Sequence, residues 1–176
     1  MPMGEFFEAW VETIFHYITR EIGGSLRLAR RRETVHPISW EPPYLGSQKA
    51  LVPDICMDWG STTVVVDAKY KRHWEELQEH SWASIEELIR EQHRNDLFQI
   101  LAYANLARTP RVIVCLAYPC RPETWKRMIE RKRLLHKAEI SSGTRSLTLW
   151  LTAVPLGTAV DKISSPLLKE IRAAAP

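Results

Sequence analysis

The sequence predicts an α/β domain in which a mixed central sheet is flanked by helices. Three observations predict it. The chain opens on an amphipathic helical stretch, continues into strand-like runs of which residues 62–70 are the most β-branched, and then alternates helix with another apolar run at 111–118. Three strands in succession favour antiparallel pairing, whereas a strand–helix–strand crossover favours a parallel neighbour, so the sheet should contain both.

Each element has its own signal. Over residues 4–22, Phe7, Trp10 or Val11, Ile14 and Ile18 follow the helical period, and Gly23-Gly24 stop it. Residues 25–30 alternate as a strand with a basic end. Residues 33–49, with Pro37, Pro42, Pro43 and Gly46, read as a loop. Strands are predicted near 50–58 and 62–70, with Trp59-Gly60-Ser61 as the hairpin turn. A Glu-rich stretch at 73–92 reads as an inserted helix, and 95–107 as a second helix ending before Pro110. After the strand at 111–118, the chain past residue 120 reads as an α/β extension: a charged helix at 122–137, a strand at 146–154 and a short helix from about Pro166.

Size and composition exclude several classes. A chain of 176 residues fits one domain, 1–176, with a core that needs no staples. Apolar content of 45% and charged content of 26% describe ordinary globular material. The three cysteines (Cys56, Cys115, Cys120) form no CxxC pair, and six histidines show no zinc spacing, so a reduced, cytoplasmic protein is expected. No apolar run is long enough to span a membrane. A net charge of +3 permits nucleic acid as a partner.

The chemistry concentrates in Pro53-Asp54 and, thirteen residues later, Asp67-Ala68-Lys69. A buried strand tolerates Asp or Lys only if the charge is paired or bound to metal. Period-2 geometry puts Asp67 and Lys69 on one face and turns Ala68 away. Two carboxylates at one sheet edge, with an ammonium beside them, attract a divalent cation and outline a phosphodiester-cleaving site. Without metal the carboxylates repel, and one should take up a proton. The bland alternatives are turn carboxylates or surface ion pairs for Asp54 and Asp67, and a solvated strand-end lysine for Lys69, as is expected of Lys71. Asp96 reads as a helix cap.

These residues resemble the PD-(D/E)XK nuclease superfamily, whose shared core has the order αβββαβ, the restriction-endonuclease-like core. Within it the wording is most similar to the nuclease subunit McrC of McrBC modification-dependent restriction systems. Phe7-Glu8, the run from Val65 to Lys71 and the run from Asn95 to Ala104 (NDLFQILAYA) carry the similarity. The last includes Gln99 and Tyr103, a Gln-x3-Tyr pattern shared with RecB-type nucleases. The resemblance implies a Mg²⁺-dependent DNA endonuclease, with Mn²⁺ as a substitute, in a restriction or phage-defence system. Asp54, Asp67 and Lys69 would be catalytic, and Asp54, Asp67, the Ala68 carbonyl and Glu8 would hold the metal. Glu5 and Glu12 are rivals to Glu8 one turn away. Gln99 and Tyr103 would support the site or the DNA.

The implied partners are DNA and a motor or specificity subunit, an McrB-like GTPase, with a homo-oligomer left open. In McrC the nuclease follows a partner-engaging region, whereas this chain enters the nuclease helix at once, as a compact relative or an excised domain would. Two further readings remain: a non-catalytic nuclease-fold module that binds DNA or a partner, and a RecB-like exonuclease or repair nuclease. Basic clusters at Arg27, Arg30, Arg31 and Arg32, and at Lys126, Arg127, Arg131, Lys132, Arg133 and Lys137, are candidates for phosphate contact.

Overall fold

The computed structural model describes residues 2–71, 74–142 and 145–174. Helix α1 (Met3–Ile22) buries Phe7, Val11, Ile14, Phe15 and Ile18 at helical spacing. The two glycines behind it have separate tasks. Gly23 closes the helix in the left-handed conformation, at φ 73°. At Gly24 a Cβ would sit 2.7 Å from the Asp58 carbonyl oxygen, so the chain can pass that strand only without a side chain.

Strand β1 (Ser25–Leu28) is shorter than the sequence predicts, because Ala29–Arg31 winds into a 3-10 turn. The predicted loop contains β2 (His36–Pro37), which pairs with β3 (Ala50–Leu51) in a separate two-stranded ladder. The predicted strand at 50–58 is therefore two strands. Pro53 has no N–H for a ladder, and the main sheet resumes at β4 (Ile55–Trp59). Next comes β5 (Thr62–Ala68), paired antiparallel to β4 with Trp59 opposite Thr62. Two residues make the turn, and Gly60 supplies the positive φ (57°) that a II′ turn requires at its first position.

The Glu-rich stretch differs most from expectation. In place of one helix over 73–92 there are α2 (Trp74–Glu79), a 3-10 turn at Trp82–Ser84, and the start of α3 (Glu87–Ala104). His73 lies outside the described residues. The boundary expected at Asn95 is absent, since α3 runs straight through it. Trp74 folds back into the core and stacks on Tyr118 at 5.9 Å, while Trp82 stays half exposed against His93. Strand β6 (Arg111–Cys120) then pairs parallel to β5. Burial of nearly every residue of β5 and β6 means that both sheet faces are covered there.

The extension past residue 120 joins the same sheet and core. Helix α4 (Pro122–Glu130) is shorter than predicted, and left-handed Lys132 follows it. An unpredicted strand, β7 (His136–Ser142), pairs antiparallel with β8 (Arg145–Pro155), which lies parallel to β6. The six-stranded sheet has the order β1-β4-β5-β6-β8-β7 and is mixed. Helix α5 (Val160–Ala174) begins before Pro166 and carries that proline inside it, packing Ile163, Leu167 and Ile171 into the core. Trp10 on α1 donates its indole N–H to the Pro155 carbonyl at 3.0 Å, tying the first helix to the end of β8. No helix among the described residues is long and apolar enough to cross a membrane.

Candidate active site

Register brings the two aspartates together. Ile55 on β4 faces Val66 on β5, so the next position outward sets Asp54 opposite Asp67. The backbone ladder stops at Ile55, and beyond it the Asp54 side chain replaces it, accepting the Ala68 N–H at Oδ2 over 2.8 Å. The Asp54 carbonyl accepts the Ala29 N–H at 2.9 Å, which anchors the bend to the end of β1. Asp67 ends the buried run of β5 and is 2% exposed.

Lys69 lies two residues on and shares the Asp67 face. Its Nζ is 2.6 Å from Asp67 Oδ2 and donates to Gln99 Oε1 at 2.8 Å. Gln99 in turn donates Nε2–H to the Tyr103 hydroxyl at 2.9 Å, one helical turn along α3. Asp54, Asp67, Lys69, Gln99 and Tyr103 therefore form one connected cluster, with the Ala68 backbone inside it.

Glu8 is half-buried on α1 and within electrostatic reach. Burial, then the charges of Asp67 and Glu5, raise its carboxyl above the ordinary value, while Arg30 opposes them. Its two rivals have other surroundings. Glu5 is exposed. Glu12 is 1% exposed and meets Arg30 Nε at 2.5 Å, away from the aspartates.

The electrostatics are those of a site with surplus negative charge. Burial first, and then Asp67, push Asp54 up to about 8, so at neutral pH it holds a proton and can donate it to Asp67. Burial lowers the Lys69 ammonium, but Asp67, Asp96 and Asp54 together outweigh it and leave the pKa raised. Lys69 is thus a fixed cation. Asp67 Oδ2 is buried, and the Lys69 ammonium at 2.6 Å is its close polar contact.

That oxygen and the proton held by Asp54 fit a hard divalent cation, which takes carboxylate and carbonyl oxygens. Among the described residues no three His, Cys, Asp or Glu side chains converge as a ready cage. Glu8 is coupled to both aspartates through charge, since its carboxylate helps to raise Asp54 and Asp67 helps to raise Glu8. A cavity of about 550 Å³ lined by Arg27, His36, Asp58, Thr63 and Arg108 lies at the other end of β4 and β5, away from these carboxylates.

A neighbouring pair was not expected from the sequence. Lys71, read as a solvated lysine, is bound to Asp96 Oδ1 at 2.5 Å. Asp96, read as a cap, is buried within α3 and accepts the Tyr118 hydroxyl at Oδ2 over 3.1 Å. Tyr118 also meets His93 Nδ1 at 3.1 Å. The spacing contained a clue. Asp96 and Gln99 are three apart on a helix, and Lys71 and Lys69 two apart past a strand, which makes two polar rungs between the same elements. The first basic cluster divides: Arg27 pairs with Asp58 and Arg30 with Glu12, while among the described residues Arg31 and Arg32 form no ion pair.

Fold and site together define a restriction-endonuclease-like α/β domain with an acidic cluster at the open end of its central hairpin. The chain belongs to the family described as McrBC 5-methylcytosine restriction system component, whose model matches residues 1–119. The match runs from α1 through nearly all of β6 and so includes every residue of the cluster. It gives the chain a role in a restriction system. Among curated proteins, none matches this sequence.

Proposed function

We propose that this chain is the cleaving component of a McrBC-like restriction or phage-defence system, a metal-dependent DNA endonuclease that acts in the cytoplasm beside an McrB-like GTPase motor or specificity subunit. The observation that carries this reading is the Asp54–Asp67 carboxyl pair with the Lys69 ammonium 2.6 Å from one of its oxygens. A structural ion pair needs one acid for one base. Here a second, half-buried acid is held beside the first at an electrostatic cost.

Asp54, Asp67 and the Ala68 carbonyl would hold Mg²⁺, or Mn²⁺ in its place. In an extended residue N–H and C=O share one edge, and the Ala68 N–H already points at Asp54. The ion supplies a water of lowered pKa and charge stabilisation for phosphodiester hydrolysis. Lys69, charged and fixed by Gln99, sets a positive group beside the scissile phosphate and stabilises the negative charge that develops there. Tyr103 holds Gln99, and Glu8 adds negative potential that favours the cation.

Supercoiled plasmid incubated with the chain, its motor partner and Mg²⁺ tests the reading. The expected result is nicking and linearisation that stop with EDTA and with Asp67→Asn. Folded Asp54→Ala, Asp67→Ala and Lys69→Ala variants that cut at the wild-type rate would overturn it. Gln99 and Tyr103 also suit a RecB-like exonuclease, which would spare closed circles and degrade linear DNA.

A further inference from the structure

Between β2 and β3 the chain forms a finger that the proposed chemistry does not use. Its stem is held internally: Ile38 N–H donates to the Lys49 carbonyl at 2.8 Å, the Trp40 indole to the Gln48 carbonyl at 3.0 Å, and the Gln48 amide to the Ala50 carbonyl at 2.8 Å. Its tip is apolar and in solvent. Trp40 is 44% exposed, Tyr44 64% and Leu45 85%, and the Trp40 and Tyr44 rings meet edge-on at 6.3 Å. Large aromatic and aliphatic groups presented this way on an ordered stem cost solubility unless something covers them.

The root of the finger adjoins the residue before Asp54. Thr34 Oγ1 donates to the Pro53 carbonyl at 2.5 Å, and the next residue is Asp54, whose own carbonyl holds the Ala29 N–H. Tyr44 is ten residues from Asp54, so the chain confines the tip to at most ~35 Å from that carboxylate. One turn of duplex DNA spans about 34 Å. Arg31 and Arg32 precede Thr34 in the chain and Lys49 lies on the stem, and none of the three forms an ion pair among the described residues. Cations at the base and an apolar aromatic tip suit a polyanion that carries flat apolar groups inside it.

We propose that the 38–49 finger engages the DNA substrate, with Arg31, Arg32 and Lys49 on phosphates and Tyr44 and Leu45 against bases within one turn of the scissile bond. The inference rests on the nuclease reading for its substrate and deepens it by naming a base-contacting element. Stacking and wedge contacts of this kind tolerate many sequences, so the finger grips and deforms the duplex without specifying a site.

The test is duplex binding by fluorescence anisotropy in EDTA, across a salt series, so that cleavage plays no part. Tyr44→Ala/Leu45→Ala changes only the exposed tip and should weaken binding about 10- to 100-fold with the salt slope unchanged. Arg31→Ala/Arg32→Ala should instead flatten the slope by roughly two. Tyr44→Phe should bind as wild type. Unchanged affinity in the tip variant would overturn the proposal, as would loss of partner-subunit binding in that variant with DNA affinity intact. The two readings fail separately: wild-type chain that binds duplex through the tip but never cuts it in Mg²⁺ with its motor partner present removes the nuclease and supports the finger.

Discussion

At the turn end of the β4–β5 hairpin, Asp58 accepts from Arg27 at 3.0–3.1 Å and from Thr63 at 2.9 Å, so each of its oxygens has a donor. At the open end, two carboxyls face one ammonium: Lys69 sits 2.6 Å from Asp67 Oδ2, and Asp54 beside them is pushed up to about 8. Both ends lie on the same two strands and use the same residue types. The difference is the ratio of charges. A satisfied acid holds the fold, whereas a surplus acid raises its energy and leaves a place for a cation.

Mutation of the two ends should separate these roles. The largest effect expected is on cleavage. Asp67→Ala or Lys69→Ala should reduce Mg²⁺-dependent plasmid nicking by at least ~10²–10³-fold, while Asp58→Ala stays within a few-fold of wild type. Equal losses at both ends, measured as initial rates on folded protein, would erase the contrast.

Stability should move in the opposite sense. Asp54→Asn keeps a donor for Asp67 but removes a half-buried acid, so metal-free protein should gain about 1–2 kcal/mol at pH 8. The sign follows from proton uptake. With a folded pKa near 8 and an ordinary value of 3.8, the native state holds the extra proton across that window. Stability should therefore fall as pH rises from about 4 to 8, and Asp54→Asn should flatten that fall in denaturant titrations. Asp58→Asn should cost about 0.5–1.5 kcal/mol, a modest figure because both it and Arg27 are partly exposed. A smaller kinetic effect is expected at the rung beside the site. Asp96→Asn frees Lys71 and loosens α3 against the end of β5, which should slow cleavage about 10-fold without shifting its metal dependence.

Much of this was legible in the sequence. The β-branched run of β5, the glycine turn and the antiparallel register together set Asp54 opposite Asp67, and period-2 alternation put Lys69 beside them. What escaped depends on distant partners. The strand β7 is polar (HKAEISS) and lies at an edge, so its extended form comes from pairing with β8 rather than from a hydrophobic pattern. Asn95-Asp96 looks like a helix start, yet Lys71 and Tyr118 satisfy Asp96 inside a longer helix. Pro166 signals a start, but burial of Ile163 on the same face carries α5 past it. The sequence placed Glu8 near two rivals, and only packing shows that Glu12 faces Arg30 instead.

The central claim is that the two opposed aspartates hold a divalent cation in place of a proton. Calorimetric titration of the metal-free chain with Mn²⁺ at pH 7, in two buffers of different ionisation enthalpy, measures both events at once. Binding at millimolar metal or tighter, with about one proton released and both signals lost in Asp54→Asn and Asp67→Asn, is the predicted result. Absence of binding, or equal binding by wild type and both variants, would contradict it.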